Sequence, residues 1–361
     1  MPGTRPESIA IDRQPFTHGS VSWQRSFSSG NYIVQNNQGE TSHIAVTGAN
    51  GFIGRQLCTH LSEQQHQVRA IVRAKGTQPL KITQVVQDLA ALAPDSRVFE
   101  GCDVVVHLAG RAHVLHDEVA DPLAEFRKVN VELTRHLIAD AARCGVKRFV
   151  FVSSIGVNGN ASAGHPFTEK DAAAPHDLYA ISKHEAEQMI RELIPVSEMQ
   201  FVIVRPTLVF GPDAPGNFSL LLKLAAKSLP LPFGRILARR SLLSIWNLVD
   251  FLQVCATHPA AAGETFLVSD EQNLMLGDIF RHLGTGMGKK QYILPIPAAV
   301  VRGMATLCGK KQMYAKLTAQ LLVDTSKARS ILGWRAPYNS SAALERAGRE
   351  YISGKMNETS I

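Results

Sequence analysis

The sequence predicts an α/β fold, a doubly wound parallel sheet followed by a smaller C-terminal region that binds substrate. Two observations support this prediction. The apolar run at residues 43–46 leads directly into a glycine-rich turn and an amphipathic helix. Apolar strands and helical segments then alternate as far as Pro206, where loops rich in proline and glycine take over. Such alternation is typical of a parallel sheet with helices on both faces.

The glycine-rich turn reads T-G-A-N-G-F-I-G over residues 47–54. Its three glycines allow a tight turn, close approach of a pyrophosphate and close packing of the following helix on the strand. A helix over residues 52–64 would then aim its unpaired N–H groups at the phosphates. We therefore predict a Rossmann-type dinucleotide cradle. Its residues are Gly48, Asn50, Gly51, Phe52, Ile53 and Gly54.

The second strand, predicted over residues 67–73, indicates which dinucleotide is bound. An NAD site usually places a carboxylate about 20 residues beyond the glycines, whereas the 2′-phosphate of NADP calls for a cation. Here the strand ends in Arg73, and no Asp or Glu lies between Glu63 and Asp88. NADP(H) is therefore favoured over NAD. NAD stays open, because Arg73 could instead be part of a solvated strand end.

Two later segments are also expected to border the cofactor. Asp88 and Leu89 follow Val85, Val86 and Gln87 and could lie at the adenine edge. A buried strand over residues 103–108 ends in small residues, where the backbone can pass under the cofactor. These residues are Leu108, Ala109 and Gly110.

The remaining pattern predicts the domain organisation. A helix over 122–144, a strand over 148–152, a helix over 178–193 and a strand over 200–205 complete the alternation. The predicted parts are a flexible tail at 1–42, the dinucleotide-binding domain at 43–205, the mainly substrate-binding region at 206–340 and a C-terminal helix or tail at 341–361. A segment near 245–270 is expected to return to the sheet.

Composition excludes several classes of function. The formal charge of +7 suits an anionic ligand such as a nucleotide sugar, but the charges look scattered and form no basic stripe, which argues against nucleic-acid binding. The five cysteines lack C-x-x-C pairing, which favours reduced thiols and a cytoplasmic location. No metal-ligand motif is present. The apolar stretch at residues 292–307 is too short and interrupted for stable membrane insertion.

A proton-transfer group is predicted from Tyr179 and Lys183, which lie four residues apart on one face of a helix. The ammonium and a positive nicotinamide ring would both favour tyrosinate, moving the phenol towards acid–base work near neutral pH. Ser154, after a central strand, could hydrogen-bond the same substrate oxygen. Together they could exchange a proton with a secondary alcohol while a hydride is transferred. Asn130, on the preceding helix, could equally be a packing residue.

At these motifs the chain resembles the extended short-chain dehydrogenase/reductases of the nucleotide-sugar epimerase/dehydratase group. The resemblance runs from residue 43 to about residue 334. It rests on T-G-x-x-G-x-x-G, residues 107–109, Asn130, Ser153 and Ser154, Y-x-x-x-K and residues 205–212.

The resemblance implies a Ser154, Tyr179 and Lys183 triad supported by Asn130, with Pro206 and Thr207 beside the nicotinamide. It also implies a UDP-sugar substrate, whose diphosphate is held by Asn217 and Arg240 and whose uracil packs near Phe233. It further suggests a homodimer through the helices at 122–144 and 178–193. The chain departs from the usual pattern at Gly110, Asn158, Trp246 and Asn247.

Within this group a dehydratase is not expected, because Ile155 and Gly156 stand where dehydratases carry Asp-Glu. Two reactions remain. The segments at 229–233 and 239–243 resemble bacterial enzymes that make 6-deoxy-N-acetylhexosamines for surface polysaccharide, which favours reduction of a UDP-4-keto-6-deoxy-N-acetylhexosamine. The alternative is a UDP-glucose or UDP-N-acetylglucosamine 4-epimerase. A non-catalytic, cofactor-sensing subunit is only a minor alternative. Such proteins typically lose the Tyr or the Lys, and this chain keeps both.

Overall fold

A seven-stranded sheet forms the centre of the molecule, with the strand order β3-β2-β1-β4-β5-β6-β9. All its neighbouring strands pair in parallel. A smaller three-stranded sheet has the order β10-β8-β7. The strands are β1 His43–Thr47, β2 Gln67–Val72, β3 Thr83–Val86, β4 Val104–His107, β5 Arg148–Val152, β6 Gln200–Pro206, β7 Leu208–Phe210, β8 Arg239–Ser244, β9 Thr265–Val268 and β10 Asn273–Met275.

This computed structural model describes residues 41–75, 82–92, 96–112, 119, 121–162, 164–194, 198–309 and 311–359. Thr41–Ile361 forms one compact unit. The predicted tail at residues 1–42 therefore lies outside the described residues except for its last two positions.

Helices cover both faces of the large sheet and build most of the C-terminal region. Among the described residues, none of them has both the length and the apolar character needed to cross a membrane. The helices are α1 Phe52–Glu63, α2 Pro122–Arg127, α3 Leu133–Arg143, α4 Leu178–Leu193, α5 Asn217–Lys227, α6 Ile245–Thr257, α7 Leu276–Gly286, α8 Ala298–Leu307, α9 Lys311–Thr318, α10 Ser326–Leu332 and α11 Ser340–Thr359.

Side chains of the central strands alternate between two cores. Val150 belongs to the core that includes α1 and α6, whereas Phe149 and Phe151 belong to the core on the opposite face, against α3 and α4. Strands that are buried on both faces have continuous apolar sequences, and this pattern is what predicted these strands. The parallel sheet confirms the predicted fold class.

One predicted helix differs from the structure. The helix expected over residues 122–144 is divided into α2 and α3 by a π-helical turn at Lys128–Glu132. The turn contains Asn130, which is almost completely buried. The extra residue turns the Asn130 side chain towards α4 and the end of β4, where its hydrogen bonds are made.

The C-terminal region is joined to the large sheet at several points. β9 pairs with β6, with Pro206 opposite Val268. α11 crosses α7 where both helices carry glycine: a Cβ atom at Gly286 or Gly348 would collide with the backbone of the other helix. This close crossing packs α11 tightly against α7.

Candidate active site

The glycine turn after β1 depends on close backbone contacts. Gly48 has a φ of +68°, and a Cβ atom there would lie 2.8 Å from the backbone nitrogen of Ala109. A Cβ atom at Gly54 would collide with the backbone of Gly48 and Ala49. The N–H of Gly51 closes the turn by donating to the carbonyl of Gly48 at 2.9 Å. Only glycine at positions 48 and 54 lets α1 and the end of β4 approach β1 so closely.

The first turn of α1 presents backbone N–H groups at the C-terminal edge of the sheet. Its N-cap is Gly51, no described side chain caps it, and its first turn contains no acid. A helix start of this kind attracts anions. Phe52 and Ile53 are half-buried in this turn. The amide of Asn50 donates to the carbonyl of Ala74 at 2.9 Å, which ties the loop to the end of β2.

The predicted selectivity residues lie beyond two neighbouring strands. Arg73 follows β2 and is exposed. Asp88, after β3, is exposed, and its carboxylate accepts the N–H of Ala90 at 3.1 Å. Leu89 is buried in the core. The edge that would border a ribose therefore presents the Arg73 cation to solvent.

Beneath the glycine turn lies a chain of buried hydrogen bonds, which we call the His107 relay. It comprises Thr47, His107 and Thr134, all fully buried. The Thr47 hydroxyl lies 2.7 Å from His107 Nδ1, and Thr134 Oγ1 lies 3.0 Å from His107 Nε2. Thr134 donates to the carbonyl of Asn130 at 2.8 Å, and Thr47 accepts the N–H groups of Leu108 and Ala109 at 3.2 Å. The relay connects the glycine turn to the π-helical turn.

The relay assigns the tautomer of His107. Since the Thr134 hydroxyl gives its proton to the Asn130 carbonyl, it must accept from His107 Nε2–H. Nδ1 is then the acceptor for the Thr47 hydroxyl, so the imidazole is neutral. Burial lowers the pKa of His107 to about 3, reinforced by the charge of Lys183, which agrees with this assignment.

The predicted acid–base pair lies at the start of α4. Asp177 caps the helix, its carboxylate accepting the N–H of Ala180 at 2.8 Å. Tyr179 therefore lies in the first turn, and Lys183 follows one turn later on the same face. Lys183 Nζ donates to the carbonyl of Val152 at 2.9 Å and lies 4.4 Å from the centre of the Phe151 ring.

Ser154 lies close to the same helix start. Its hydroxyl oxygen accepts the N–H of Gly156 at 3.1 Å. A Cβ atom at Gly156 would lie 3.3 Å from Ser154 Oγ and 3.2 Å from the Ala180 side chain. Ser154 is therefore placed beside the turn that carries Tyr179.

Burial moves the two titratable groups in opposite directions. Burial, reinforced by the charge of Asp177, raises the pKa of Tyr179 to about 12. Burial lowers the pKa of Lys183 to about 8, opposed by the charge of Glu187. The direction for Tyr179 is opposite to the one predicted from the sequence, because desolvation of the phenolate outweighs the attraction of the ammonium. The sequence prediction also counted the positive charge of a bound nicotinamide ring, which is not a group of the chain itself.

Asn130 makes its contacts around the end of β4. Its amide oxygen accepts the N–H of Arg111 at 2.8 Å, and its amide nitrogen donates to the Arg111 carbonyl at 3.1 Å and to Ser182 Oγ at 2.9 Å. A Cβ atom at Gly110 would lie 3.0 Å from Asn130 Oδ1 and 3.6 Å from Lys183 Nζ. Asn130 and Lys183 therefore meet at Gly110, where the end of β4 approaches α4.

A buried ion pair under this region was missed by sequence reasoning. Glu187, one turn beyond Lys183, accepts from Arg205 Nε at 2.9 Å and Nη2 at 2.5 Å, and from Ser153 Oγ at 2.5 Å. Arg205 also donates to Asn158 Oδ1 at 2.8 Å. The sequence offered two signals for this pair. Glu187 is an acid on the buried face of a helix, and Arg205 is an arginine at the end of an apolar strand. Asn158, one of the departures from the usual family pattern, thus helps to hold the Arg205 guanidinium in place.

The predicted substrate residues lie on several elements of the C-terminal half. Thr207, after Pro206, is buried, and its hydroxyl has no hydrogen-bond partner among the described residues. Asn217 is exposed at the first position of α5. Arg240 is half-buried in β8, where burial lowers the pKa of its guanidinium. Phe233 stacks on Phe280 with ring centres 5.6 Å apart. The last three lie on separate elements of this region, not in the cluster around Gly110.

The departures at Trp246 and Asn247 fall in a structural joint. Asn247 is fully buried and donates to Asp270 Oδ1 at 2.7 Å and to the carbonyl of Tyr338 at 2.8 Å. Trp246 packs against the Tyr338 ring, and the guanidinium carbon of Arg346 lies 4.1 Å from the centre of the Trp246 ring. These two positions join α6, the end of β9 and the start of α11.

The residues present fit a dinucleotide. Side chains at Gly48 or Gly54 would fill the cradle, the start of α1 has no side-chain cap, and the buried hydroxyl of Thr207 lacks a partner in the described part. Across the described residues, no group of three or more His, Cys, Asp or Glu side chains is arranged to hold a metal ion.

Known proteins resemble this chain over most of its length. The profile of the NAD dependent epimerase/dehydratase family matches residues 44–269. A UDP-glucose 4-epimerase from Vibrio cholerae is 38% identical over 312 residues, covering 86% of this chain and 95% of that protein. An N-acetyl-α-D-glucosaminyl-diphospho-ditrans,octacis-undecaprenol 4-epimerase from Escherichia coli O157:H7 is 27% identical, covering 88% of this chain and 97% of that protein.

Solved structures share the fold. A UDP-glucose 4-epimerase from Thermotoga maritima, solved with UDP-glucose, aligns with a TM-score of 0.69 and 19% identity, covering 87% of this chain and 99% of that one. A UDP-glucuronic acid 4-epimerase from Bacillus cereus, in complex with NAD, aligns with a TM-score of 0.68 and 20% identity, covering 86% and 99%. At these identities the likeness is one of fold.

Proposed function

Because the chain belongs to the NAD dependent epimerase/dehydratase family, we propose that it is an oxidoreductase acting at C4 of a UDP-sugar. The reaction we propose is reduction of a UDP-4-keto-6-deoxy-N-acetylhexosamine for surface polysaccharide. The observation that carries the proposal is the meeting of cradle and acid–base helix at Gly110, with Lys183 Nζ 3.6 Å from the position of a Cβ atom there.

The chain's own residues have distinct roles in this reaction. Residues 48–54 and 108–110 would hold the dinucleotide, and Tyr179 and Lys183 would hold its ribose end. When bound, the dinucleotide would supply the hydride for this reduction. Tyr179 donates its proton to the C4 oxygen, Ser154 hydrogen-bonds that oxygen, and Lys183 stabilises the phenolate left behind. Dehydration would need a further acid and base, which Ile155 and Gly156 cannot supply.

Net reduction is favoured by Arg73. A reductase must exchange its cofactor each turnover and commonly uses NADPH, whereas an epimerase returns the hydride and works with tightly held NAD. The exposed Arg73 guanidinium, followed by the exposed Lys75, provides positive charge for a 2′-phosphate. No carboxylate between Glu63 and Asp88 competes for the ribose hydroxyl. We therefore propose NADP(H) as the cofactor.

A UDP-glucose or UDP-N-acetylglucosamine 4-epimerase is the second candidate. It is favoured by the 38% identity to the Vibrio cholerae UDP-glucose 4-epimerase. The same Tyr179, Ser154 and Lys183 would serve it, since the tyrosine accepts a proton in the first half of the reaction and returns it in the second.

One experiment separates the two candidates. Freshly purified protein is analysed for bound cofactor and then mixed with NADPH and a UDP-4-keto-6-deoxy-N-acetylhexosamine while nicotinamide absorbance is followed. Stoichiometric NADPH consumption is expected for the reductase. Bound NAD, no consumption and interconversion of UDP-glucose with UDP-galactose would overturn the reductase in favour of the epimerase. Mixtures lacking the keto sugar serve as the control.

We also propose that the enzyme works in the cytoplasm as a homodimer through α2, α3 and α4. These helices already pack together within the chain, where Arg127 and Glu185 form an ion pair at 2.6 Å. Sedimentation velocity should give twice the chain mass of 39.3 kDa.

A further inference from the structure

Ser154 lies on a short turn whose two ends are buried. A 3₁₀ helix at Ile155–Val157 follows Ser154 directly. Ser153 and Asn158, on either side, are each 2% exposed, whereas Ser154 itself is half-buried. We call residues 153–158 the serine turn. The position of the Ser154 hydroxyl is therefore set by whatever fixes the two buried ends of this turn.

Both ends of the serine turn are tied to one guanidinium. Arg205 Nη1 donates to Asn158 Oδ1 at 2.8 Å. Arg205 Nε donates to Glu187 Oε1 at 2.9 Å, and the same carboxylate oxygen accepts the Ser153 hydroxyl at 2.5 Å. Arg205 and Glu187 are 6% and 1% exposed, so water does not readily compete for these bonds. Arg205 therefore spans the turn, because it reaches Asn158 directly and Ser153 through Glu187.

The amide of Asn158 also connects the serine turn to a more distant part of the chain. Its nitrogen donates to the carbonyl of Thr168 at 3.1 Å. The preceding residue, Phe167, pairs with Val323 in an isolated β-bridge, and the N–H of Val323 donates to Ser241 Oγ on β8 at 3.0 Å. Asn158 therefore joins the serine turn to a segment that is itself bonded to β8.

Apolar contacts support the same connection. A small core, separate from the two cores of the large sheet, forms between the serine turn and the segment that runs beside β8. It consists of Ile155, Leu267, Leu321 and Val323, with Phe167 packed against it. Leu321 pairs with Arg240 of β8. The serine turn thus rests on this segment through an apolar contact at Ile155 and a polar one at Asn158.

We propose that Asn158 is a positioning residue for the reaction at C4, because it holds the serine turn so that the Ser154 hydroxyl faces the substrate oxygen beside Tyr179. This role rests on the proposed function, since Asn158 acts through Ser154 and not on the substrate itself. An amide suits the position because it accepts from Arg205 and donates to the Thr168 carbonyl at once. Asn158 is a departure from the usual family pattern, so the resemblance does not imply this role.

Asn158→Leu tests the role, because it removes both side-chain hydrogen bonds and keeps a side chain of similar size. A misplacement of about 1 Å can cost about 10²-fold in rate, so we expect kcat to fall about 10–100-fold. KM for the sugar and binding of NADPH should change little. In a double-mutant cycle with Ser154→Ala, where the hydroxyl to be positioned is gone, Asn158→Leu should lower kcat by no more than about twofold.

Asn247→Leu is the matched control. Asn247 is also a fully buried amide, which donates to Asp270 Oδ1 at 2.7 Å and to the carbonyl of Tyr338 at 2.8 Å, but its joint lies outside the serine turn. Both variants should lower the melting temperature, whereas only Asn158→Leu should lower kcat. Asn158→Ser is a milder second variant. It should lower kcat less than Asn158→Leu, and its effect should likewise disappear in the Ser154→Ala background.

Hydrogen exchange distinguishes failure of this role from failure of the proposed function. Amides of residues 153–159 should exchange faster in Asn158→Leu than in the unaltered chain, and at the unaltered rate in Asn247→Leu. Unchanged exchange in Asn158→Leu, an equal loss of kcat in Asn247→Leu, or an undiminished loss in the Ser154→Ala background would overturn the positioning role. An unaltered chain that turns over neither the keto sugar nor UDP-glucose would instead overturn the proposed function, and with it a role at C4.

Discussion

Replacing Thr134 with valine tests whether the His107 relay supports the active-site framework. Valine keeps the shape of the side chain but removes the hydroxyl that accepts from His107 Nε2 at 3.0 Å and donates to the Asn130 carbonyl at 2.8 Å. Both Thr134 and His107 are 0% exposed, so water cannot readily replace the lost partner. The imidazole donor would be left buried and unsatisfied.

The expected loss follows from these contacts. An unsatisfied buried donor costs about 1–3 kcal/mol, and the Asn130 carbonyl loses a donor as well. We expect the free energy of unfolding to fall by about 2–3 kcal/mol. Thr134→Ser keeps the hydroxyl and should lose only about 1 kcal/mol, for the buried methyl group. The relay ends at a backbone carbonyl and not at a reacting atom, so turnover should fall less than tenfold.

Thr285→Val is the matched control. Thr285 also donates its hydroxyl to the carbonyl four residues earlier, at 3.1 Å from Arg281, but it is exposed on α7. Loss of the Thr285 hydroxyl should change the free energy of unfolding by at most about 0.5 kcal/mol. Denaturant titration followed by tryptophan fluorescence measures all three variants. The reasoning is refuted if Thr134→Val matches Thr285→Val, or if Thr134→Ser is as damaging as Thr134→Val.

Three further predictions concern the active site and its supports. Tyr179→Phe should lower turnover by about 10²–10⁴-fold while cofactor binding, measured by calorimetry, stays nearly intact; unchanged turnover would contradict the assigned role. Arg73→Ser should weaken NADPH binding far more than NADH binding, and equal affinities of the unaltered enzyme for the two would remove the premise. Asp270→Asn should stabilise the protein most above about pH 7, because burial raises the pKa of this carboxyl to about 7. The unfolded carboxyl titrates near pH 4, so the native chain gains stability as pH falls from about 7 to 4 and the variant does not; melting temperatures at about pH 8 and pH 5 that differ equally for both chains would refute this.

Much of the fold was predictable because its signals are local. The glycine turn and the apolar strands gave the parallel sheet, and α4 begins and ends where its sequence pattern indicated. The π-helical turn was not predictable, because the apolar period runs on through residues 122–144. The turn depends on contacts of Asn130 with Arg111 and Ser182, which are 19 and 52 residues away along the chain.

The candidate site was less predictable than the fold, because its energetics depend on burial. Sequence reasoning placed Lys183 near Tyr179 and expected the ammonium to lower the tyrosine pKa. It had no measure of desolvation, which in the structure raises that pKa. Likewise Glu187 and Arg205 could each be assigned to a buried element, but the pairing between a helix and a strand follows only from the packed structure.

Hydrogen bonding at the C-terminal edge of the sheet separates supporting residues from those available to a ligand. Thr47, His107 and Ser153 use their polar atoms within the chain. The buried hydroxyl of Thr207 has no partner among the described residues, and Lys183 uses one of its three N–H groups, on Val152. Because buried polar groups are nearly always satisfied, the groups left over are the ones that a bound ligand would complete. Substitutions in the first set should therefore change stability, and substitutions at Thr207 and Lys183 should change binding and turnover.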